Sequence, residues 1–259
     1  MPTSPPELLS RILRSNTDSP APSTRPHVTL TFAQSLDARI AGAGGRQLIL
    51  SGRESMVMTH WMRTMHDGIL VGIGTALNDD PQLNVRQLPP PPADSPYSLP
   101  RPIIIDPQLQ LSPSCKLLKN YQSKTGRMPW VLCREHPDPD AGTASRKQAL
   151  QAAGARVVEV PHTGSETLPT RLQVEAVLQI LRDLGIKSLM VEGGARVITS
   201  FLSEDVVDTL IITVAPVMVG DTGIGYQYPT AVDGRPRFKD PQTEIVGQDS
   251  VVCLLANKP

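Results

Sequence analysis

The chain has 259 residues, 25 basic against 25 acidic side chains and only 3% aromatics, which suits one large α/β domain or two small ones and argues against a polyanion-binding surface or stacking platforms for nucleic acid. Three scattered cysteines, Cys115, Cys133 and Cys253, form no C-x-x-C pair, so no zinc site or redox couple is signalled and a reducing compartment is expected. No apolar run approaches the roughly 20 residues that span a bilayer, and "ELLSRIL" (7–13) is too interrupted for a secretory segment, so the expectation is a cytoplasmic protein without a membrane partner.

Residues 1–26, rich in Pro, Ser and Thr, read as a mobile N-terminal tail with a short helix after Pro5-Pro6 ending by Asn16. The folded body is expected over 27–259 as a single domain. "HVTLTFAQS" (27–35) alternates as a first strand, and 53–66 places Met56, Val57, His60, Trp61 and Thr64 at helical spacing. A strand over 68–72 is followed by a loop with a polyproline run, Pro89 to Pro92. Strands are then predicted at 101–106, 128–133, 156–160, 187–194, 206–216 and 250–257. Helices are predicted at 145–155, 170–185 and near 195–203, the first two closed by Gly154 and Gly185. This alternation argues for a mainly parallel sheet with helices on both faces. The last two strands have no clear helix between them and should form an antiparallel edge. Both are apolar enough for an exposed edge to favour a homodimer.

Two strand-to-glycine junctions stand out. "DGILVGIGTALNDDPQLNVR" (67–86) runs from Ile69-Leu70-Val71 into Gly72 and Gly74, then Thr75, Asp79, Asp80 and Arg86. Glycines at a strand end let backbone N–H groups approach a phosphate or ribose. A structural turn would use the glycines without needing Thr75, Asp79 and Arg86 together. In "MVEGGARVITSFL" (190–202), Glu192 ends a strand and Gly193-Gly194 open a helix, whose N-terminus suits a pyrophosphate. A plain turn there would need one glycine for packing. Neither cluster is a Rossmann fingerprint, since Leu77 stands where G-x-G-x-x-G needs glycine. P-loop, zinc-deaminase and G-x-S-x-G signatures are absent, and the five histidines are isolated; His60 and His66 read as satisfied or exposed side chains. The two junctions could face one extended ligand at the same sheet edge.

"TLTFAQSLDARIA" (29–41), "HWMRTMHDGILVGIGTALNDDPQLNVR" (60–86), "RPIIID" and "VEGGARV" occur in the order found in the riboflavin-pathway reductases, and the chain resembles that family over roughly 27–220. Without a deaminase signature it is most similar to the stand-alone type, and "GRQLILSGRESM" (45–56) to the fungal branch. The resemblance implies a fold like dihydrofolate reductase, with one mixed, mostly parallel central sheet and helices on both faces, and a homodimer. It implies NADPH-dependent reduction of 2,5-diamino-6-ribosylamino-4(3H)-pyrimidinone 5′-phosphate, a small sugar-phosphate substrate, to its ribitylamino product. Matched to the family's motifs, Thr75, Asp79, Gly193, Gly194, Ala195 and Arg196 hold the cofactor, while Arg63, Leu83, Arg86 and Glu192 contact substrate. No metal is implied. The chain departs from the bacterial pattern at Arg46-Gln47-Leu48 and at Leu30-Thr31, so contacts there do not carry over.

An imine at C1′ of the opened ribose is reduced by a hydride on carbon and a proton on nitrogen, so alignment and a dry site matter more than an activated nucleophile. Asp37 and Glu192 are the candidates for proton handling, with hydrogen-bonding anchors favoured. Arg134, after the strand at 128–133, is the candidate reader of the cofactor 2′-phosphate. Two other readings stay open. A pterin reductase would lean on Glu54 and Trp61, and a catalytically silent nucleotide-binding module would keep the glycines without turnover.

Overall fold

The computed structural model describes residues 3–18, 24–92, 94–135, 140–161, 171–227 and 237–257. Its elements run α1 (Glu7–Asp18), β1 (His27–Gln34), α2 (Arg53–Thr64), β2 (Gly68–Gly72), α3 (Ile73–Asp79), β3 (Arg101–Ile105), α4 (Lys116–Gln122) and β4 (Trp130–Arg134). They continue with α5 (Ala141–Ala152), β5 (Arg156–Val160), α6 (Val174–Asp183), β6 (Ser188–Glu192), α7 (Ala195–Ser203), β7 (Thr209–Val214), β8 (Phe238–Val246) and β9 (Asp249–Ala256). Residues 1, 2 and 19–23 of the predicted tail and Thr170 at the start of a predicted helix lie outside the described residues.

The described strands form one sheet in the order β5-β4-β3-β2-β6-β1-β7-β9-β8. From β5 to β7 all neighbours pair in parallel, and β9 is antiparallel to both β7 and β8. This is the expected mixed, mostly parallel sheet with helices on both faces. Strands covered on both sides are largely apolar, and their side chains alternate between two cores. Val28 and Leu30 of β1, Leu70 of β2, Ile103 of β3 and Val191 of β6 pack with Val177, Leu181, Ile198 and Phe201 of α6 and α7. Ile69, Val71, Ile104 and Met190 point the other way, against Val57, Met58, Trp61 and Met62 of α2.

Several features depart from the sequence reading. The short helix expected in a mobile tail is α1, and it is docked: Leu8, Leu9, Ile12 and Leu13 are buried in the α2-side core. The presumed turn after Gly72 is α3, with Gly72 as its N-cap, and α4 and β8 have no counterpart among the predicted elements. Helix α5 starts earlier than predicted because the Asp140 carboxylate accepts from Thr143 N at 2.8 Å, capping the first turn. Strands β7 and β9 are both interior, β9 lying between β7 and β8. Their hydrophobicity is therefore met within the fold, and it does not argue for a second subunit.

Candidate active site

At the carboxyl ends of β1, β2, β3, β6 and β7 the sheet opens into a cleft of about 1230 Å³. A drug-sized ligand takes roughly 300–1,000 Å³, so this cleft can hold a dinucleotide beside a second small molecule. Its place outside the carboxyl ends of parallel strands is where open α/β sheets bind ligands.

The two glycine junctions, far apart in sequence, meet in its floor. A Cβ on Gly194 would lie 3.0 Å from Thr75 Oγ1, and one on Gly72 would lie 2.8 Å from Val197 Cγ2. Val197 and Ile198 donate to the Gly194 carbonyl. The N–H groups of Ala195 and Arg196 precede the first helical hydrogen bond and point from the positive end of the nine-residue α7. Gly193 carries a packing duty too, since a Cβ there would stand 3.1 Å from Val197 Cβ. Asp79 closes α3 beside these groups, and burial pushes its carboxyl above the ordinary value. Asp80 is a cap instead: in the left-handed conformation (φ 40°), it accepts from Lys116 N at 2.9 Å.

The α2 side of the cleft is built around Arg63, which is 7% exposed. Its Nε and Nη2 donate to the two Glu192 oxygens at 2.9 and 2.8 Å, and Nη1 donates to the Asn84 carbonyl at 3.0 Å. One guanidinium thus ties α2 to the end of β6 and to the segment after α3. Arg86 is engaged much less. Among the described residues its guanidinium donates only from Nη1 to Asn84 Oδ1, at 3.2 Å, and burial followed by the nearby Arg63 charge draws its pKa down. Its backbone N–H donates to His60 Nδ1 at 3.3 Å. Burial, then Arg63 and Arg86, lowers the His60 pKa to about 3, so this imidazole is neutral. Leu83 is buried and holds φ 46°, a left-handed conformation that costs a non-glycine residue and redirects the chain between Asp79 and Arg86.

Residues 26–252 match the family model described as the RibD C-terminal domain. The chain belongs to that family. It is 38% identical over 233 residues to the Debaryomyces hansenii 2,5-diamino-6-ribosylamino-4(3H)-pyrimidinone 5′-phosphate reductase, covering 89% of this chain and 90% of that protein. Identity to the Saccharomyces cerevisiae enzyme of the same name is 35% over 216 residues, covering 80% and 79%. The solved Saccharomyces cerevisiae riboflavin biosynthesis reductase Rib7 superposes with a TM-score of 0.74 at 30% identity, over 97% of this chain and 98% of that one.

In this RibD C-terminal domain the cleft lining takes in Arg63, Thr75, Asp79, Leu83, Arg86, Glu192, Gly193, Gly194, Ala195 and Arg196, every residue matched to a binding role. Asp37 stays apart. Its carboxylate accepts from Ser35 Oγ, from Val219 N at 3.1 Å and from Gly220 N at 2.7 Å, which hold its pKa far below the ordinary range. It anchors the 217–220 segment and is not placed to handle a proton at the cleft. Arg134 does not line the cleft either, and it pairs with Val160 in the sheet. Sequence reasoning missed Asn84, whose carbonyl and side-chain oxygens accept from Arg63 and Arg86, and the cleft-lining Lys116 and Arg171. Lys116 and Arg171 come from segments without a motif, whereas Asn84 lies inside the 67–86 stretch, where an uncharged amide next to Leu83 carries no signal of its own. Among the described residues no helix is long and apolar enough to cross a membrane.

Proposed function

We propose that this chain catalyses NADPH-dependent reduction of 2,5-diamino-6-ribosylamino-4(3H)-pyrimidinone 5′-phosphate to the ribitylamino product. The observation that carries the reading is the meeting of the 72–75 and 192–196 junctions in one cleft, with Arg86 available beside them. The same residues fit a nicotinamide dinucleotide. A side chain at Gly194 would fill the approach to Thr75 and the α7 N-terminus, and Asp79 offers a carboxylate to ribose or amide donors. When bound, the cofactor supplies a hydride to C1′ of the ring-opened substrate, and the imine nitrogen gains a proton.

The protein's part is alignment. Arg63 orients Glu192 by a bidentate ion pair, so that carboxylate stands at the cleft as a fixed acceptor for substrate hydroxyl or amino groups. Arg86 has further donors for the 5′-phosphate. Arg63 contributes to this end chiefly as a clamp. Leu83, Val71 and Phe32 give the reacting region apolar walls that exclude water. Homodimerisation and a cytoplasmic location belong to the same reading.

A pterin reductase finds less support. Trp61 is buried edge-to-face on Tyr97, 5.4 Å between centroids, and Glu54 lies against the Gly247 turn, so neither faces the cleft. The test is NADPH consumption by the purified full chain with the aminopyrimidine phosphate, its deaminated counterpart and dihydrofolate offered in turn. Turnover with dihydrofolate alone would replace the reading, and NADPH binding without turnover on any of them would leave a silent module.

A further inference from the structure

The cleft is longer than the substrate end and the two junctions require, and its far limb has its own chemistry. On the α7 side it continues past Val197 to Ile105 and Pro107 at the end of β3 and to Leu172 and Val174 at the start of α6. Those side chains form an apolar slot of the kind that takes a purine ring. The direction of a bound dinucleotide follows. Its reactive ring must lie near Glu192 and Arg86, and its pyrophosphate fits the α7 N-terminus. The adenosine half is left to this limb.

Two further cations line the cleft, Lys116 and Arg171, and Arg171 directly precedes Leu172 of this limb. Lys116 Nζ stands 4.0 Å from Asp80 Oδ2, so its charge is partly answered. Arg171 is exposed, and no hydrogen bond or ion pair engages it among the described residues. It precedes α6 by three residues, beside the positive end of a ten-residue helix. Arg196 is also without a partner among the described residues, but it sits on the first turn of α7 beside the pyrophosphate position.

We infer that Arg171 reads the 2′-phosphate of NADPH and so sets the preference for NADPH over NADH. The inference rests on the dinucleotide reading of the cleft proposed above. A guanidinium suits a terminal phosphate because it donates two parallel hydrogen bonds to a dianion. Arg134, at the end of β4, is outside the cleft and leaves this role open.

The experiment measures dissociation constants of NADPH and NADH by fluorescence titration of the full chain, with adenosine 2′-monophosphate as competitor. Arg171→Ala should raise the NADPH constant roughly tenfold or more, leave the NADH constant within about twofold, and abolish competition by adenosine 2′-monophosphate. Arg171→Lys should recover part of the preference, and Lys116→Ala should keep most of it. If the parent prefers NADPH and Arg171→Ala keeps that ratio, or if Lys116→Ala alone removes it, Arg171 is not the reader. A parent that binds both dinucleotides equally overturns the inference while leaving the reductase reading in place. A parent that binds neither overturns both.

Discussion

Alanine at position 63 should damage stability, and alanine at position 86 should damage substrate binding, because the two guanidiniums use their donors differently. Arg63 gives three N–H groups to protein acceptors, two of them on Glu192, whereas the Arg86 guanidinium gives one, to its neighbour Asn84. Arg63→Ala therefore strips Glu192 of its cation and the Asn84 carbonyl of its donor. Breaking a fully buried pair costs about 3–5 kcal/mol. The Glu192 side chain is 21% exposed and can be rehydrated, which lowers the expected loss to about 2–3 kcal/mol. For a chain of this size that is a fall in Tm of roughly 5–10 °C. Arg86→Ala should cost at most about 1 kcal/mol of stability yet raise the substrate KM roughly ten- to a hundredfold by removing a charge-assisted phosphate contact. Thermal unfolding and steady-state kinetics on both variants separate the roles. An Arg63→Ala protein melting within about 2 °C of the parent would refute the clamp, a magnitude taken from the same scaling. An Arg86→Ala protein with an unchanged KM would refute the phosphate contact.

Other outcomes follow from the same geometry. Asp79→Asn should weaken NADPH binding roughly tenfold without loss of stability, because burial already disfavours that charge; cofactor titration beside a melting curve checks both halves. Gly194→Val should abolish cofactor binding through the space next to Thr75 Oγ1, whereas Gly193→Val should also lower Tm because its side chain meets Val197 and Ile198. Leu9→Ala should cost about 2–5 kcal/mol, measured by urea unfolding, since Leu9 is fully buried; a free tail would give no change. His66, held by Met62 O and Thr29 Oγ1, has its pKa lowered from 6.5 to about 4 by burial. The unfolded chain then binds a proton that the folded chain refuses, so stability should fall by about 3 kcal/mol as pH drops from 6.5 to 4. Denaturant unfolding across that window should show this slope reduced in His66→Gln.

The parallel half of the fold was legible because its central strands are covered on both faces, which makes each a short, largely apolar run bounded by turns, while the edge strand β5 shows itself by its valines between exposed Arg156 and Glu159. Strand β8 was not. Its burial pattern shows no buried residue, it is the sheet edge, and Pro241 interrupts it. The register shift between Lys239 and Gln242 is where the ladder accommodates that proline. Helix α3 was hidden for a related reason. It spans only seven residues, opens on glycines and ends on Asp79-Asp80, which are turn residues by composition. Helix α1 was expected, but its docking was not. Leu8, Leu9, Ile12 and Leu13 do form one apolar stripe, yet a stripe says that a face wants covering and does not name the surface that covers it.

The site divides along the same line. Groups that act through backbone shape were readable, because glycine after a strand has few other reasons to recur, and the two junctions do converge. Groups that act through a partner were not. Nothing in the spacing of Arg63 and Glu192, 129 residues apart, says that one carboxylate will take two of that guanidinium's donors. Once they are paired, the charge left at the substrate end is not the sum of its parts. Arg63 and Glu192 cancel, Arg86 remains as the net cation, and the neutral His60 adds nothing. On the proposed reading an anionic substrate is then drawn to Arg86 at that end and the cofactor to the α7 N-terminus and Arg196. Two anions can share a single cleft because their cations stand on opposite sides of the β6 end, Arg86 with α2 and Arg196 on α7.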